Sequence, residues 1–264
     1  MGIDVARSAP RYRSVLIHAG GRAGDDSLTR DAVFLANAFG ARLVGVSTPC
    51  VGTADLSAAE EEAVNIIVEA AGERFRTAAS QVHAGVIWRK VAATPTRALL
   101  GLAWAADLLI VDLNGRSEGA TRVKDLTTIL KKSQRAILVR THSARRLALK
   151  RALILWDQSA ACCRAISAAL PLLAKAEYVA ILPVKQSYLV SATQALSDLE
   201  RGLKIRDLPV QIVHERACDP SETTDDYLNG FDPDVLVMSG RRRWGSDSLA
   251  DRLSRYQTYA VLSL

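Results

Sequence analysis

One polar turn of the chain carries side chains that could take part in chemistry. The apolar run Ala152–Trp156 ends on Asp157-Gln158-Ser159, and an alanine-rich segment with apolar residues at helical spacing follows. An apolar strand, a polar turn and a helix form the first half of a βαβ unit. Because open α/β sheets bind ligands at the carboxyl ends of their strands, Asp157 is a candidate ligand-binding residue. The sequence leaves open the alternative that Asp157 caps the following helix.

A second candidate segment follows the later apolar run Asp234–Met238. Its sequence is SGRRRWGS, from Ser239 to Ser246. Arginine binds phosphate well because its guanidinium donates two parallel hydrogen bonds, so Arg241–Arg243 could hold an anionic ligand. A solvated loop is the favoured interpretation of the same residues, and simple packing is favoured over base stacking for Trp244.

The two halves of the chain contain the same elements in the same order. Five apolar runs in the first half are matched in order by five in the second, and the turn Asp219-Pro220-Ser221 matches Thr94-Pro95-Thr96. Matches in this number and order indicate a duplicated domain. The predicted strands are Val15–Ala19, Arg42–Ser47, Gly85–Val91, Asp107–Val111 and Ala136–Arg140, then Ala152–Trp156, Ala176–Leu182, Val210–Arg216, Asp234–Met238 and Ala260–Leu264.

We therefore expect two domains, residues 1–143 and 144–264, with the join in the basic polar segment His142–Arg151. The apolar runs are rich in leucine and β-branched residues without clean alternation, as expected of strands buried on both faces. Strands that alternate with helices give right-handed crossovers and a parallel sheet. The predicted fold class is α/β, with two flavodoxin- or Rossmann-like domains, each a five-stranded, mostly parallel sheet with helices on both faces.

The last strand of each half is expected at a sheet edge, where unpaired apolar backbone invites aggregation. Pairing Ala136–Arg140 with Ala260–Leu264 would remove both edges and join the halves into an intrachain pseudo-dimer. Whether two whole chains also form a homodimer stays open.

Composition excludes several other classes of protein. The 264 residues carry a formal net charge of +6, much of it in the clusters Lys131-Lys132, Arg145-Arg146, Lys150-Arg151 and Arg241–Arg243. These clusters lack interleaved aromatic residues, so we interpret them as solvated helix ends and linkers and expect no nucleic-acid partner. No segment is long and apolar enough to span a bilayer, and residues 1–13 lack the apolar region of a signal peptide. We therefore expect a cytoplasmic protein without a membrane partner.

The four cysteines are Cys50, Cys162, Cys163 and Cys218. They form no CxxC motif, and the histidines show no ligand spacing with one another or with the cysteines, so no metal site is expected. We expect reduced, mostly buried thiols, with a redox-sensing role for the adjacent Cys162 and Cys163 as the alternative.

Three segments of the second half carry a combination of motifs. ALILWDQSAACCRAISAALPLLAKAEYVAILPV, from Ala152 to Val184, is a strand ending in Asp-x-Ser, an alanine-rich helix and a second apolar strand. CDPSE is similar to Gly-Asp-Pro-Ala-Glu, and DVLVMSG to Asp-Leu-Leu-Val-Met-Gly. Together they resemble a universal stress protein (UspA-like) domain. The resemblance covers nearly the whole chain as a tandem pair, and it implies a bacterial source, the five-stranded fold derived above and pairing of the last strands.

Many members of that family bind ATP or AMP, so the resemblance implies a nucleotide site. Such a site uses the Asp of the first turn, a backbone contact after the second strand and a Gly-x2-Gly-x9-Gly-Ser/Thr loop after the fourth. Ser239 and Arg242 stand at the positions of the first two loop glycines, and Gly245-Ser246 would serve as the closing pair only in a rebuilt loop. The implied nucleotide-binding residues are Asp157, Val184, Ser239, Gly240, Arg242, Gly245 and Ser246.

The first half departs further from the motif. Gly20 replaces the Asp, and Asp112 stands at the first loop glycine, where its carboxylate would repel a triphosphate. Gly115 is retained, but Asp125-Leu126 fall where Gly-Ser/Thr belongs. Neither half has a complete nucleotide loop.

Known nucleotide-binding motifs are missing from the sequence, which has no GxxxxGK[ST] and no GxGxxG after a strand. We therefore expect a stress-response or regulatory protein with a degenerate nucleotide site, no catalytic residues and no required cofactor. The first alternative is an ATP- or AMP-binding sensor that uses the second domain only. The second is an α/β nucleotide-hydrolysing enzyme, with weak ATPase activity as its minimal form.

Overall fold

Strands and helices alternate through both halves of the chain. The computed structural model describes residues 10–19, 27–49, 57–113, 123–141, 146–184, 190–213, 220–240, 243–244, 247–248, 253 and 258–263. The first half contains β1 Ser14–His18, α1 Ser27–Phe39, β2 Arg42–Ser47, α2 Ala58–Ala78, β3 Val86–Lys90, α3 Pro95–Ala103, β4 Leu108–Asp112, α4 Val123–Ser133 and β5 Ile137–Arg140. The second contains β6 Arg151–Trp156, α5 Ala160–Leu173, β7 Tyr178–Pro183, α6 Val190–Lys204, β8 Val210–Ile212, α7 Pro220–Phe231, β9 Val235–Ser239, β10 Arg243–Trp244, β11 Asp247–Ser248 and β12 Tyr259–Ser263.

Ten strands form one continuous sheet in the order β3-β2-β1-β4-β5-β12-β9-β6-β7-β8. Within each half the neighbouring strands are parallel, and the two halves have the same strand order. At the centre β5 pairs antiparallel with β12, so that Arg140 lies opposite Tyr259 and Ile137 lies opposite Leu262. The short strands β10 and β11 form a separate antiparallel ribbon. The fold is α/β with two flavodoxin-like halves, and the last strand of each half lies at the middle of the sheet.

Helices cover both faces of this sheet because successive strand residues point to opposite sides. Ile17 of β1 lies in the core beneath α1, α2, α5 and α6. Its neighbour Leu16 lies in the other core, beneath α3, α4 and α7. Both side chains are almost fully buried, and burial of each stabilises the fold by about 1.5–3 kcal/mol. The apolar runs without alternation are therefore explained by two cores that share one sheet.

Local sequence signals set several helix ends. Thr94 is the N-cap of α3, where its hydroxyl accepts a hydrogen bond from Arg97 N at 3.4 Å and Pro95 begins the helix. Ser57 and Glu60 form a capping box at the start of α2. Gly40 ends α1 with φ +60°, a left-handed conformation that glycine adopts without strain.

The structure describes the end of the eighth strand but not the predicted domain boundary. The predicted strand Val210–Arg216 extends past β8, which ends at Ile212, and its last three residues lie outside the described residues. The predicted domain boundary between residues 143 and 144 lies outside the described residues and stays a prediction. Within the described part of the chain, no helix is long and apolar enough to cross a membrane.

Candidate functional site

Four of the predicted nucleotide-binding residues lie together at the carboxyl edge of the second half. Asp157 follows β6, Val184 follows β7, and Ser239 and Gly240 lie at the end of β9. The strands β7, β6 and β9 are parallel neighbours, so their carboxyl ends meet at one edge of the sheet. The other three predicted residues, Arg242, Gly245 and Ser246, lie outside the described residues.

The carboxylate of Asp157 is occupied by hydrogen bonds from its own chain. Its Oδ1 accepts from Ser159 N at 2.9 Å and from Ser159 Oγ at 2.6 Å. Its Oδ2 accepts from Ser239 Oγ at 2.7 Å. Asp157 is only 4% exposed, so these bonds form in a desolvated environment where a lost partner is costly. Both carboxylate oxygens therefore serve the fold.

Asp157 supports the start of α5 indirectly. The N-cap residue of this helix is Ser159, whose hydroxyl oxygen accepts from Cys162 N at 3.1 Å. Because Asp157 accepts the proton of that hydroxyl, it orients the cap. Gln158 between them has φ 60°, a conformation uncommon outside glycine, which lets the turn fold back on itself. Of the two roles considered for Asp157, the observed contacts are those of a structural one.

The backbone N–H groups of Val184 and Gly240 are also engaged. Val184 N donates to Trp156 O at 3.0 Å, and Gly240 N donates to Ser263 O at 2.6 Å. A methyl group added to Gly240 would lie 3.1 Å from Leu130 Cδ1 and 3.1 Å from Ser263 O. Gly240 thus permits close packing between β9, β12 and α4, and its N–H continues the sheet.

The corresponding position of the first half is occupied by a buried ion pair. Asp112 ends β4 beside Arg140 of β5, and Arg140 Nη1 lies 3.1 Å from Asp112 Oδ2. Both side chains are buried. The predicted repulsion of phosphate by Asp112 is therefore weakened, because Arg140 compensates its charge. Of the other first-half residues, Gly20 and Gly115 lie outside the described residues, while Leu126 is fully buried in α4.

Arg140 belongs to a larger polar network that the sequence analysis missed. Its Nε lies 3.4 Å from Asp31 Oδ2, and its Nη1 donates to Ser27 Oγ at 2.7 Å. Tyr259 of β12 donates its hydroxyl proton to the same oxygen of Asp31. Burial raises the pKa of the Asp31 carboxyl, while the Tyr259 hydrogen bond and the Arg140 charge oppose that shift. The network joins the first half to the second at the centre of the sheet.

His18 lies at the carboxyl edge of the first half. Its Nε2 lies 3.1 Å from Thr48 Oγ1, and burial lowers the pKa of the ring to about 4. The ring is therefore neutral near neutral pH. Among the residues that the structure describes, no group of three or more His, Cys, Asp and Glu side chains could hold a metal ion.

The adjacent cysteines differ in environment. Cys162 is fully buried and its thiol donates to Leu155 O at 3.3 Å, whereas Cys163 is exposed. Burial raises the pKa of the Cys162 thiol to about 12. Since the thiolate is the reactive form, Cys162 is unsuited to a redox-sensing pair.

Solved structures share this architecture. A universal stress protein from Archaeoglobus fulgidus DSM 4304 matches with a TM-score of 0.66 and 11% identity, over 95% of this chain and 95% of that chain. A protein of unknown function from Pseudomonas aeruginosa PAO1 matches with a TM-score of 0.59 and 12% identity, over 96% and 92%. A protein from Pseudomonas aeruginosa UCBPP-PA14, provisionally called a universal stress protein, matches with a TM-score of 0.58 and 14% identity, over 96% and 93%.

The chain has the universal stress protein fold. At these identities the likeness is one of fold, and it extends over nearly the full length of each matched chain. No protein-family model and no curated protein sequence matches the chain.

Within the universal stress protein fold, the two halves have different residues at the position of the first loop glycine. The second half has Ser239, which donates to Asp157, and the first half has Asp112, which pairs with Arg140. In both halves the side chain at this position is bonded to a neighbouring element of the same half. The described residues that the resemblance assigns to a ligand, Asp157, Val184, Ser239 and Gly240, are thus bonded within the second half.

Proposed function

We propose that this chain is a tandem universal stress protein with a degenerate nucleotide site, which acts through protein contacts and without catalysis. The observation that carries the proposal is the occupied carboxylate of Asp157. Both of its oxygens accept hydrogen bonds from Ser159 and Ser239, in a site that is almost fully buried.

An adenine ring would have to displace these bonds. A hydrogen bond to a charged group contributes about 1.5–3 kcal/mol, so freeing Asp157 from Ser239 would consume a large part of a nucleotide's binding energy. The serine at position 239 also adds a side chain where the family's loop has a glycine. Ser239 therefore occupies space and engages one oxygen of the Asp157 carboxylate.

At the phosphate end of the site, one backbone N–H donor is also engaged within the sheet. Phosphates bind to backbone N–H groups that glycines leave accessible. Here Gly240 N donates to Ser263 O, so this N–H belongs to the sheet. The contribution of Arg242, Gly245 and Ser246 to phosphate binding stays a prediction.

Calorimetric titration of the full chain with ATP and with AMP tests this proposal. We expect no heat of binding, and purified protein should show no absorbance excess near 260 nm from bound nucleotide. Binding in the micromolar range that is lost in Asp157→Ala but kept in Asp198→Ala would contradict the proposal and favour the nucleotide sensor. Asp198 is a suitable control because it is an exposed aspartate on α6. ATP turnover above a matched blank would favour the enzyme.

We also propose that one chain is the functional unit, an intrachain pseudo-dimer that works in the cytoplasm. The antiparallel pairing of β5 with β12 supports this, because it covers the last strand of each half. Light scattering should therefore give the mass of one chain, 28.5 kDa. A stable mass of twice that value would show that two chains assemble further.

A further inference from the structure

The topology collects basic residues along one edge of the sheet. The strands β1, β4 and β5 are parallel neighbours, so the residues that precede them lie side by side at their amino ends. These residues are Arg13, Asp107 and Ala136, and Arg135 comes just before Ala136. The register is fixed by Asp107 N, which donates to Ser14 O at 3.1 Å. Neighbouring strands are about 4.8 Å apart, so β1 and β5, which lie on either side of β4, are about 10 Å apart.

An exposed tryptophan lies on the same edge. Trp104 ends α3 just before β4, and it is 75% exposed, the most exposed of the large apolar side chains described. Arg135 Nη2 donates to the carbonyl oxygen of Trp104 at 3.1 Å. The backbone of Trp104 therefore lies beside a guanidinium group and its indole ring is exposed on the surface, although the two residues are far apart in sequence.

Two lysines extend this positive surface. Lys131 and Lys132 lie in the last turn of α4, and both are exposed, as are Arg13 and Arg135. We call the surface formed by Arg13, Trp104, Lys131, Lys132 and Arg135 the basic edge. The acidic side chain of Asp107 lies among them. Its Oδ2 accepts from Arg13 N at 2.8 Å and from Ser14 N at 3.0 Å, which ties it to the start of β1.

We propose that the basic edge binds single-stranded nucleic acid, with the ring of Trp104 stacked on a base and the cations on the phosphates. An exposed aromatic face among cations is the usual platform for single strands, because every base has a π-face and every phosphate a charge. Trp104 supplies the aromatic residue that the basic clusters lack in the sequence. A row of cations along a sheet edge matches the repeated charges of a strand better than the isolated carboxylates of an acidic protein surface. The proposal is independent of the nucleotide site.

Fluorescence anisotropy with a labelled oligouridylate of about 12 nucleotides, added to the full chain, tests this proposal. We expect binding at about 50 mM salt that weakens steeply as salt is raised. Trp104→Ala should weaken binding by about 5- to 100-fold, because base stacking on one aromatic ring is worth that much. The exposed Ile205→Ala serves as the apolar control and should leave the affinity unchanged.

Charge variants distinguish phosphate contacts at the basic edge from attraction by the net charge of the protein. Lys131→Gln with Lys132→Gln should reduce the slope of log affinity against log salt by about 1.4, which corresponds to two lost phosphate contacts on a single strand. Lys150→Gln with Lys175→Gln removes the same charge from exposed positions at the amino edge of the second half and should leave the slope unchanged. Absence of binding, unchanged affinity in Trp104→Ala, equal effects of both double variants, or equal competition by polyglutamate would each overturn the proposal.

Discussion

Replacing Arg140 with methionine is expected to lower the free energy of unfolding by about 3–5 kcal/mol, because it leaves buried carboxylates without their cation. Arg140 lies 3.1 Å from Asp112 Oδ2 and 3.4 Å from Asp31 Oδ2, and all three side chains are buried. Methionine keeps the apolar bulk of the side chain but supplies no charge. Urea unfolding of the variant and of the unchanged protein measures the difference.

The deficit should also depend on pH. Burial already raises the pKa of Asp31 above its ordinary value of 3.8, and Arg140 opposes that shift. Without Arg140 the pKa of Asp31 rises further. A group whose pKa is raised by folding favours the folded state most at low pH, and this contribution is lost as pH rises through the folded pKa. The gap between Arg140→Met and the unchanged protein should therefore be smaller at about pH 5 than at about pH 7.5.

Arg151→Met is the matched control. Arg151 also lies at a strand end and pairs with Asp232 at 3.1 Å, but both side chains are nearly half exposed. Exposed pairs contribute about 0–1 kcal/mol, so this variant should be nearly as stable as the unchanged protein. Adding Asp31→Asn to Arg140→Met should recover part of the loss. Equal losses in Arg140→Met and Arg151→Met would contradict the assignment of the network to the core.

The sequence carries the fold because the signals for it are local. Each strand is an apolar run bounded by a turn, and helix ends such as Thr94-Pro95 have their own capping residues. The proximity of Asp157 and Ser239 could also be predicted from the sequence, since both residues lie at the ends of strands of one parallel sheet. Local sequence patterns do not predict the hydrogen bond between Asp157 and Ser239, because that bond depends on the distance between their side chains.

The contact between Asp31 and Tyr259 could not be predicted from the sequence. Their hydroxyl–carboxylate bond joins the first helix to the last strand, and nothing near either residue indicates the other. A weak signal exists at Asp31, which lies between Leu28 and Leu35 on the apolar stripe of α1. A charged residue on such a stripe needs a partner. The proximity of Trp104 and Arg135 has the same origin, because the order of β4 and β5 in the sheet brings them together.

The two halves have different side-chain contacts at corresponding strand ends. Asp112 lies opposite Arg140 in the register of β4 and β5, and Ser239 lies opposite Ser263 in the register of β9 and β12. The first half therefore uses an ion pair where the second uses the hydrogen bond from Ser239 to Asp157. Because Arg140 of that pair also lies 3.4 Å from Asp31 Oδ2, which accepts from Tyr259, it stabilises the junction of the halves, whereas Ser239 stabilises only its own half through Asp157.

Asp157→Ala is expected to lower the free energy of unfolding by about 2–4 kcal/mol, since it removes the acceptor of three buried hydrogen bonds. The Ser159 N–H and the hydroxyl groups of Ser159 and Ser239 would remain buried without that acceptor. Relief from burying the carboxylate offsets part of the loss, which is why the expected value is below the sum of three bonds. Ser239→Ala removes one of these bonds to a charged group and should cost about 1.5–3 kcal/mol.

The stability of Asp157→Ala distinguishes a closed site from an open one. Residues kept for ligand binding commonly reduce stability, so replacing them by alanine leaves the protein as stable or makes it more stable. A residue that orients a helix cap and ties two strand ends does the opposite. Asp198→Ala removes an exposed carboxylate and should change stability by less than about 0.5 kcal/mol. If Asp157→Ala proved as stable as Asp198→Ala in urea unfolding, the Asp157 carboxylate would not be needed for stability. That result would contradict the proposal that the nucleotide site is closed.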